Sequence, residues 1–329
     1  MFRLLKSTLF CLIATLSLTT LVHAQSIPGI SQPVTFQVDP QFPHPNTTVT
    51  VSAQSFSTDL NRATFTWTVN GKLYKKGTGI ESITVPIGTT AMNISVDVAT
   101  VDIGTVSNSV SVRPGSVDLV WETDGYTPPF YQGSAQEVYG STFKVVALPE
   151  LTGANGKRID PKTLVYTWKK NDTVDANQSG YGKDSYTSTQ SSYVRGGDTI
   201  SVSVSDLAND VGATNVVGIG PTVPEILFYE DSPLYGIVYE HALPSTFNLN
   251  QQEITLRAEP YNMSSVNPLS GLLTYSWTLN GGGLADFQNK NEITLRTTGT
   301  TGGESDVALA VQHTTQVLQG GQATIKIFQ

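Results

Sequence analysis

The amino-acid sequence predicts an all-β protein composed of three tandem β-sandwich domains arranged in a rod. A short phrase, in which an aromatic residue, a polar residue and a tryptophan precede a turn, occurs three times, at Trp67, Trp168 and Trp277. Around each copy, β-branched residues alternate with polar ones, and the 3.6-residue apolar period of a helix is not sustained anywhere. A motif that recurs after about 100 residues, within such an alternating pattern, is typical of a small β-sandwich domain present in three tandem copies.

Residues 1–24 predict a cleaved signal peptide. Arg3 and Lys6 precede a mostly apolar stretch from Leu9 to Val22, and Ala24 ends a segment that a signal peptidase would accept. The apolar stretch is shorter than the ~20 residues that a membrane-spanning helix needs, although a retained leader that anchors the chain stays the alternative. No later stretch of the sequence is apolar enough to span a bilayer. We therefore expect an extracytoplasmic protein, secreted or associated with the cell surface.

The charge and cysteine content restrict the possible partners and chemistry. Cys11 is the single cysteine and lies in the predicted leader, so we expect no disulfide, thiol nucleophile or cysteine-bound zinc in the mature chain. The net charge of −8 becomes −10 when Arg3 and Lys6 are removed (−8 − 2 = −10). This acidic balance, without a cluster of basic residues, argues against nucleic acid and anionic membranes as partners.

Each repeat contains further predicted strands in the same order around its tryptophan. The strand before the tryptophan strand covers residues 49–53, 143–147 and 254–258, the strand after it covers 94–98, 200–204 and 307–311, and the closing strand covers 109–112, 214–217 and 323–327. Two of the tryptophan strands are followed by Asn-Gly, at Asn70-Gly71 and Asn280-Gly281. These pairs predict type I′ hairpins, because both central residues of that turn need a positive φ.

This arrangement resembles the immunoglobulin fold. The three tryptophans occupy the place of the buried strand-C tryptophan of that fold, but the cysteine pair that usually flanks it is missing. We therefore expect the tryptophans to be held by apolar packing alone. The phrase also resembles PKD-like repeats, in which an aromatic-x-Trp is followed by a Gly-Asp-Gly turn, here replaced by Asn-Gly.

The whole mature chain is also similar to a family of exported multi-domain immunoglobulin-like proteins from candidate-phylum bacteria. The resemblance rests on segments in all three repeats: residues 58–63, 121–122 with 128–133, and 258–261. That family has no assigned biochemical activity. The resemblance therefore implies architecture and a surface location only.

Short proline-containing junctions divide the mature chain into three domains. Residues 113–116 and 220–224 separate predicted domains at 25–113, 114–222 and 223–329. Because both junctions are short and stiffened by proline, we expect a rod of roughly 100 Å.

No sequence motif predicts an enzyme or a cofactor. His44, His241 and His313 do not stand at metal-ligand spacing, and we interpret His241 and His313, which share a domain, as two surface residues. The turn that contains Asp206, Asn209 and Asp210 offers weak candidates for calcium ligands. The same residue types are favoured in turns for their own sake, so a metal site is not expected.

Aromatic residues, most of them with polar tips, stand at the end of the first strand of the second and third repeats and in the loop after it. They are Trp121, Tyr126, Phe130 and Tyr131 in the second repeat, and Tyr229, Tyr235 and Tyr239 in the third. Such residues on proline-stiffened loops pack a domain junction, bind a protein or glycan partner, or are exposed without a role. We expect Trp121 and the loop that follows it to lie at or beside the junction of the first and second repeats. From the direction of the first strand, residues 126–131 themselves should lie near the third repeat as packing. Residues 229–239 are expected to project from the free end of the rod as a contact surface.

Two functions are compatible with these observations. The first is a non-enzymatic structural or adhesive rod of a bacterial cell-surface or envelope assembly, including a pilus-linked one, with a protein or glycan partner. The alternative is a soluble module that binds a glycan or peptide through loops at a domain end. The loop 171–193 favours some binding, because structureless loops beyond about 12–15 residues are usually functional or disordered.

Overall fold

In a computed structural model of the protein, residues 33–190, 197–297 and 302–329 are described. The predicted signal peptide lies outside these residues. The described chain is built from β-strands and three 3-10 turns at Leu60–Arg62, Pro161–Thr163 and Ala285–Phe287. Within the described ranges, no helix is long and apolar enough to cross a membrane.

The first domain pairs a three-stranded sheet with a four-stranded sheet. Its strands are β1 (Thr35–Asp39), β2 (Thr48–Gln54), β3 (Thr64–Val69), β4 (Lys72–Thr78), β5 (Ser82–Pro86), β6 (Met92–Thr100) and β7 (Gly104–Val112). The sheet orders are β1-β2-β5 and β4-β3-β6-β7, and all pairs are antiparallel.

The second domain repeats this plan with additional short strands. Its strands are β8 (Ser116–Thr123), β9 (Thr142–Glu150), β10 (Val165–Lys170), β11 (Thr173–Val174), β12 (Gly180–Tyr181), β13 (Ser185–Thr189), β14 (Asp198–Ser205) and β15 (Gly212–Ile219). One sheet has the order β13-β9-β8, and the other has the order β11-β10-β14-β15, with β12 also paired to β10.

The third domain has the same two-sheet plan. Its strands are β16 (Glu225–Ser232), β17 (Gly236–Ile237), β18 (Thr246–Asn248), β19 (Glu253–Tyr261), β20 (Leu273–Leu279), β21 (Gly282–Gly283), β22 (Glu292–Arg296), β23 (Glu304–His313) and β24 (Gly320–Phe328). The sheet orders are β17-β16-β19-β22 and β18-β24-β23-β20-β21, and the β18–β24 pair is parallel.

Each domain encloses its own hydrophobic core around one of the repeated tryptophans. The three core clusters draw their buried residues from positions 34–112, 117–219 and 226–327. Trp67, Trp168 and Trp277 are buried, one in each cluster. The protein is thus an array of three immunoglobulin-like β-sandwiches, as the sequence predicts. β8 connects the two junctions of the array: Gly115, just before it, donates a backbone hydrogen bond to Pro43 of the first domain, and Gly125, just after it, forms an antiparallel bridge with Ser264 of the third.

The expectation that apolar packing alone holds these tryptophans is wrong. The indole N–H groups of Trp67, Trp168 and Trp277 donate hydrogen bonds of 2.8, 2.9 and 2.8 Å to backbone carbonyls. The acceptors lie 13 to 15 residues further along the chain. A buried indole N–H without such a partner would cost about 1–3 kcal/mol. The bond therefore fixes the ring orientation where no disulfide does so.

The predicted two-residue hairpins are present. Asn70 and Gly71 have φ of 48° and 76°, and Val69 pairs with Lys72 across the turn. In the second domain, Asn171 and Asp172 adopt the same conformation without a glycine, with φ of 49° and 63°. The asparagine is favoured for a second reason in all three copies, because its side-chain oxygen accepts a hydrogen bond from a backbone N–H at the start of the neighbouring strand.

The prediction of a structureless loop at residues 171–193 is wrong over its described part. This segment contains β11, β12 and β13. Its last residues, including Tyr193, lie outside the described residues. Asp175 Oδ1 accepts hydrogen bonds from the backbone N–H groups of Asn177 and Gln178, which closes the bend between β11 and β12. The length of this loop therefore no longer supports a binding role.

Candidate partner-contact surface

The junction between the second and third domains is centred on a buried carboxylate. Glu259 lies in β19 with a relative exposure of 1%. Tyr126 Oη, from the second domain, donates a 2.9 Å hydrogen bond to Glu259 Oε2. Tyr239 Oη, from the third domain, donates a 2.8 Å hydrogen bond to Glu259 Oε1. Arg257 Nε lies 3.5 Å from Oε1 and supplies a compensating charge. One carboxylate thereby connects two domains.

The environment of Glu259 keeps both tyrosines protonated. Burial, followed by the charge of Glu259 and its hydrogen bond, raises the pKa of Tyr126 well above the usual value for a phenol. Burial, followed by the hydrogen bond to Glu259 and its charge, raises the pKa of Tyr239 in the same way. Both hydroxyls therefore act as hydrogen-bond donors to Glu259 at neutral pH.

Aromatic rings from both domains continue outward from this carboxylate. Phe130 contacts Tyr239 with 5.2 Å between ring centroids, and Tyr239 contacts Tyr229 at the same distance. Tyr131 contacts Tyr261 edge-on at 5.8 Å, and the hydroxyls of Tyr261 and Tyr229 are 2.8 Å apart. Aromatic pairs at these distances contribute about 0.5–1.5 kcal/mol each beyond the area that they bury.

Backbone and side-chain hydrogen bonds complete the junction. Tyr126 N–H donates to the carbonyl of Met263 at 2.8 Å, next to an antiparallel bridge between Gly125 and Ser264. Gln319 Nε2, from the third domain, donates to the carbonyl of Tyr139 at 2.9 Å. These contacts fix the second and third domains relative to each other through main-chain as well as side-chain atoms.

A cleft of about 630 Å³ opens beside these rings. It is lined by Phe130, Tyr235, Ile237, Val238, Tyr239 and Glu240, and is called the aromatic cleft below. Phe130 comes from the second domain and is 71% exposed, whereas Tyr235 comes from the third domain and is 85% exposed. Because the cleft draws on both domains, it depends on their junction.

A tight hairpin presents Tyr235 to solvent. β16 and β17 pair through Ser232 and Gly236, and the connecting residues 233–235 form the turn. Gly236 has a φ of 71°, which a glycine adopts without steric cost. The chain then returns along β16, where Val238 N–H donates to the carbonyl of Glu230 at 2.9 Å.

The structure confirms one predicted position and corrects another. Tyr126, Phe130 and Tyr131 lie against the third domain, as expected from the direction of the first strand, rather than at the junction of the first and second repeats. The expectation that residues 229–239 project from the free end of the array is wrong. Tyr229 is buried, and Tyr239 returns to the junction because the chain reverses after β16. The binding role of these residues remains a prediction.

Trp121 lies apart from the aromatic cleft. It belongs to β8, pairs with Val145 in β9 and packs, half-buried, against the core of the second domain. Its position in the strand makes it a packing residue of that sheet.

The predicted calcium candidates have a role in a turn. Asp206 Oδ1 accepts hydrogen bonds from the N–H groups of Asp210 and Val211, at 2.8 and 3.2 Å. Asn209 adopts the left-handed conformation with a φ of 60°. Within the described ranges, no three His, Cys, Asp or Glu side chains are grouped so that they could hold a metal ion.

His313 is buried, which corrects its interpretation as a surface residue. Its Nε2 lies 2.9 Å from the carbonyl of Ser264, and its Nδ1 accepts hydrogen bonds from the N–H groups of Thr315 and Gln316. The ring therefore carries its proton on Nε2. Through that proton it donates a hydrogen bond to the carbonyl of Ser264, the residue that also contacts the second domain. His241 is exposed, as expected.

The sequence reasoning missed a buried acid beside the linker, Glu137. Its side chain is 0% exposed; Oε1 accepts a 2.8 Å hydrogen bond from Ser141 Oγ, whereas Oε2 has no hydrogen-bond partner within the described chain. Burial raises the pKa of Glu137 to about 7, against opposing hydrogen bonds from Thr123 and Ser141. Its backbone carbonyl accepts a hydrogen bond from Thr222 N–H in the linker to the third domain.

No protein-family model matches the chain, and no curated protein matches it. Among solved structures, it is similar to the three N-terminal domains of the bacteriophage RB49 highly immunogenic outer capsid protein (14% identity, 91% of this chain and 99% of that chain, TM-score 0.27). It is also similar to the central fibronectin-III array of RIM-binding protein (13% identity, 90% of this chain and 97% of that chain, TM-score 0.30). A third similar structure is the Bacteroides ovatus protein SGBP-B in complex with a mixed-linkage heptasaccharide (14% identity, 90% of this chain and 70% of that chain, TM-score 0.19). At these identities and TM-scores, the likeness carries no conclusion about function.

Proposed function

We propose that this chain is an exported, non-enzymatic structural or adhesive array of immunoglobulin-like domains in a bacterial cell-surface or envelope assembly. We further propose that it contacts its partner through the aromatic cleft. The observation that carries this proposal is the pair Phe130 and Tyr235, which come from two domains and expose 71% and 85% of their surface on one cleft.

The construction of the junction supports a preformed contact surface. Glu259, hydrogen-bonded to Tyr126 and Tyr239, ties the walls of the cleft to a buried site. A partner would therefore meet the rings of Phe130 and Tyr239 already held in position beside the exposed Tyr235, at a small cost in conformational entropy. Aromatic residues presented in this way are enriched among the residues that dominate binding energy at interfaces.

The titratable groups of the junction support a structural rather than a catalytic role. Glu259 and Glu137 are both buried, and Glu259 is fully engaged in hydrogen bonds and an ion pair that hold the domains together. Neither carboxylate lines the aromatic cleft. Their geometry serves the attachment of the third domain to the second.

The alternative of a soluble binding module is favoured by the exposed ring of Tyr235. An exposed aromatic face is a surface on which a sugar ring or a peptide side chain can stack. The location of the protein separates the two functions, because an assembled element sediments with the cell envelope and a soluble binder stays in the supernatant.

The proposal is tested by binding the chain from Gln25 onward to envelopes of the organism that produces it. We expect the double variant Phe130→Ala/Tyr235→Ala to lose most of the bound fraction with only a small fall in Tm, since Tyr235 is exposed and Phe130 loses one ring contact worth about 0.5–1.5 kcal/mol. Phe56→Ala is the matched control, because Phe56 is an exposed aromatic residue of the first domain, away from the cleft. Equal retention of the double variant and the control would refute the proposal.

A further inference from the structure

We infer that the aromatic cleft takes an ammonium or guanidinium group carried by a basic segment of a protein partner. This inference rests on the proposed function, because it names the chemistry of the partner that the same cleft would bind.

The aromatic composition of the cleft fits a cation. Three of its six lining residues are aromatic, and the rings of Phe130 and Tyr239 lie 5.2 Å apart at an angle of 51°. Tilted neighbouring rings present both a face and an edge to the space beside them. A cation within about 6 Å of a ring centroid is attracted by the negative face of the ring, more strongly when water is excluded. Two rings with different orientations can therefore contact one cationic group together.

The charge of the surroundings also favours a cation. Glu240 lines the cleft and is exposed, and within the described ranges no ion pair involves it. The two segments that build the cleft region, 124–140 and 221–244, contain no Lys or Arg, and they contain several acidic residues besides the buried Glu137: Asp124, Glu225, Glu230, Asp231 and Glu240. The nearby Arg257 is directed to Glu259 and Glu292 instead. The charge of this face is thus complementary to a basic partner.

The hydrogen-bonding groups of the cleft suit a donor ligand better than a neutral sugar. Tyr239 Oη is already occupied by Glu259, and Ile237 and Val238 contribute apolar walls. Glu240 is left as a carboxylate acceptor, which an ammonium or guanidinium group satisfies with its N–H donors. The aliphatic stem of a Lys or Arg side chain can meanwhile contact the apolar walls.

The experiment titrates the chain from Gln25 onward with a synthetic peptide of alternating Lys and Gly, followed by calorimetry. A Ser-Gly peptide of equal length and a neutral gluco-oligosaccharide serve as comparison ligands. We expect the lysine peptide to bind and both comparison ligands to fail. Glu240→Gln and Tyr235→Ala should each weaken the lysine peptide about five- to tenfold, since each removes one part of the cation site.

Matched controls distinguish a site from general attraction to an acidic protein. Asp102→Asn removes the same charge from an exposed turn of the first domain, and Phe56→Ala removes an exposed ring there. Both controls should stay within twofold of the unchanged chain. If Asp102→Asn weakens the peptide as much as Glu240→Gln does, or if the lysine peptide does not bind, the inference is wrong.

A different failure would leave the proposed function intact. If the neutral oligosaccharide binds and Tyr235→Ala abolishes that binding, the cleft is a contact surface but its ligand is a glycan. Failure of the proposed function itself is seen separately, as unchanged envelope binding of the Phe130→Ala/Tyr235→Ala variant.

Discussion

Replacing Glu137 by Gln should remove a pH dependence from the stability of the second domain. Glu137 is fully buried and one of its carboxylate oxygens has no hydrogen-bond partner within the described chain, so the charged form is costly there. The nearby charges of Asp124 and Asp198 add to this cost. Glutamine has nearly the same shape but stays neutral at every pH.

The size of the effect follows from the pKa. Burial raises the pKa of Glu137 from 4.5 to about 7, a difference of about 2.5 pH units (7 − 4.5). Each unit corresponds to 1.36 kcal/mol, so the linkage amounts to about 3 kcal/mol. Because the folded pKa is the higher one, the stabilisation is fully present below pH 4.5 and is lost as the pH rises through 7.

The assay is hydrogen exchange of the chain from Gln25 onward, measured by mass spectrometry at pH 5 and pH 8 and corrected for the intrinsic rates. Peptides from β9 and β10 should lose about 2.5 kcal/mol of protection between these pH values, because a part of the stabilisation is already lost at pH 5. Peptides from the first domain serve as an internal reference. Glu137→Gln should remove the difference, whereas Glu122→Gln, at an exposed site in the same domain, should leave it. Equal protection at both pH values in the unchanged chain would refute the reasoning.

Three further predictions concern the core, the junction and the leader. Trp67→Ala should destabilise the first domain by about 3–5 kcal/mol and leave exchange in the third domain unchanged, because the cores are separate. Tyr126→Phe and Glu259→Gln should each broaden the distance distribution between spin labels on the second and third domains, since both weaken the interdomain hydrogen bonds; an unaltered distribution would contradict this. N-terminal sequencing of exported material should begin at Gln25, and a Met1 start would favour the anchored alternative.

The domain type and most strands could be predicted from the sequence because their signals are local and repeated. The alternation of apolar and polar residues specifies which face of a strand is buried, and three copies reinforce each assignment. The Asn-Gly pairs predict the hairpins for a steric reason that neighbouring residues alone decide. Asn171-Asp172 forms the same two-residue turn although Asp replaces Gly at the second position, because both Asn and Asp tolerate a positive φ.

The candidate site could be predicted only in part, because it depends on contacts between domains. Tyr126 and Glu259 are 133 residues apart, and their meeting depends on the angle at which two sandwiches dock. No pattern in the sequence encodes that angle. The aromatic character of the loops was visible, but the reversal after β16 that carries Tyr239 back to the junction was not.

Buried polar residues escaped prediction for a related reason. Glu137 lies in a loop and His313 at the end of β23, and acids and histidines at such positions are ordinarily exposed. Their burial follows from Ser141, Ser264 and the linker, which close over them in three dimensions. A sequence offers no periodic signal for such sites.

The most direct test of the contact surface is photo-crosslinking at Tyr235. The residue is replaced by p-benzoylphenylalanine in the chain from Gln25 onward, which is bound to envelopes of the producing organism and irradiated. Phe56, which is fully exposed and belongs to the first domain outside the aromatic cleft, receives the same replacement as the control. We predict covalent adducts with envelope material from position 235 and few or none from position 56. Equal yields at both positions, or adducts from position 56 alone, would contradict the assignment of the aromatic cleft as the contact surface.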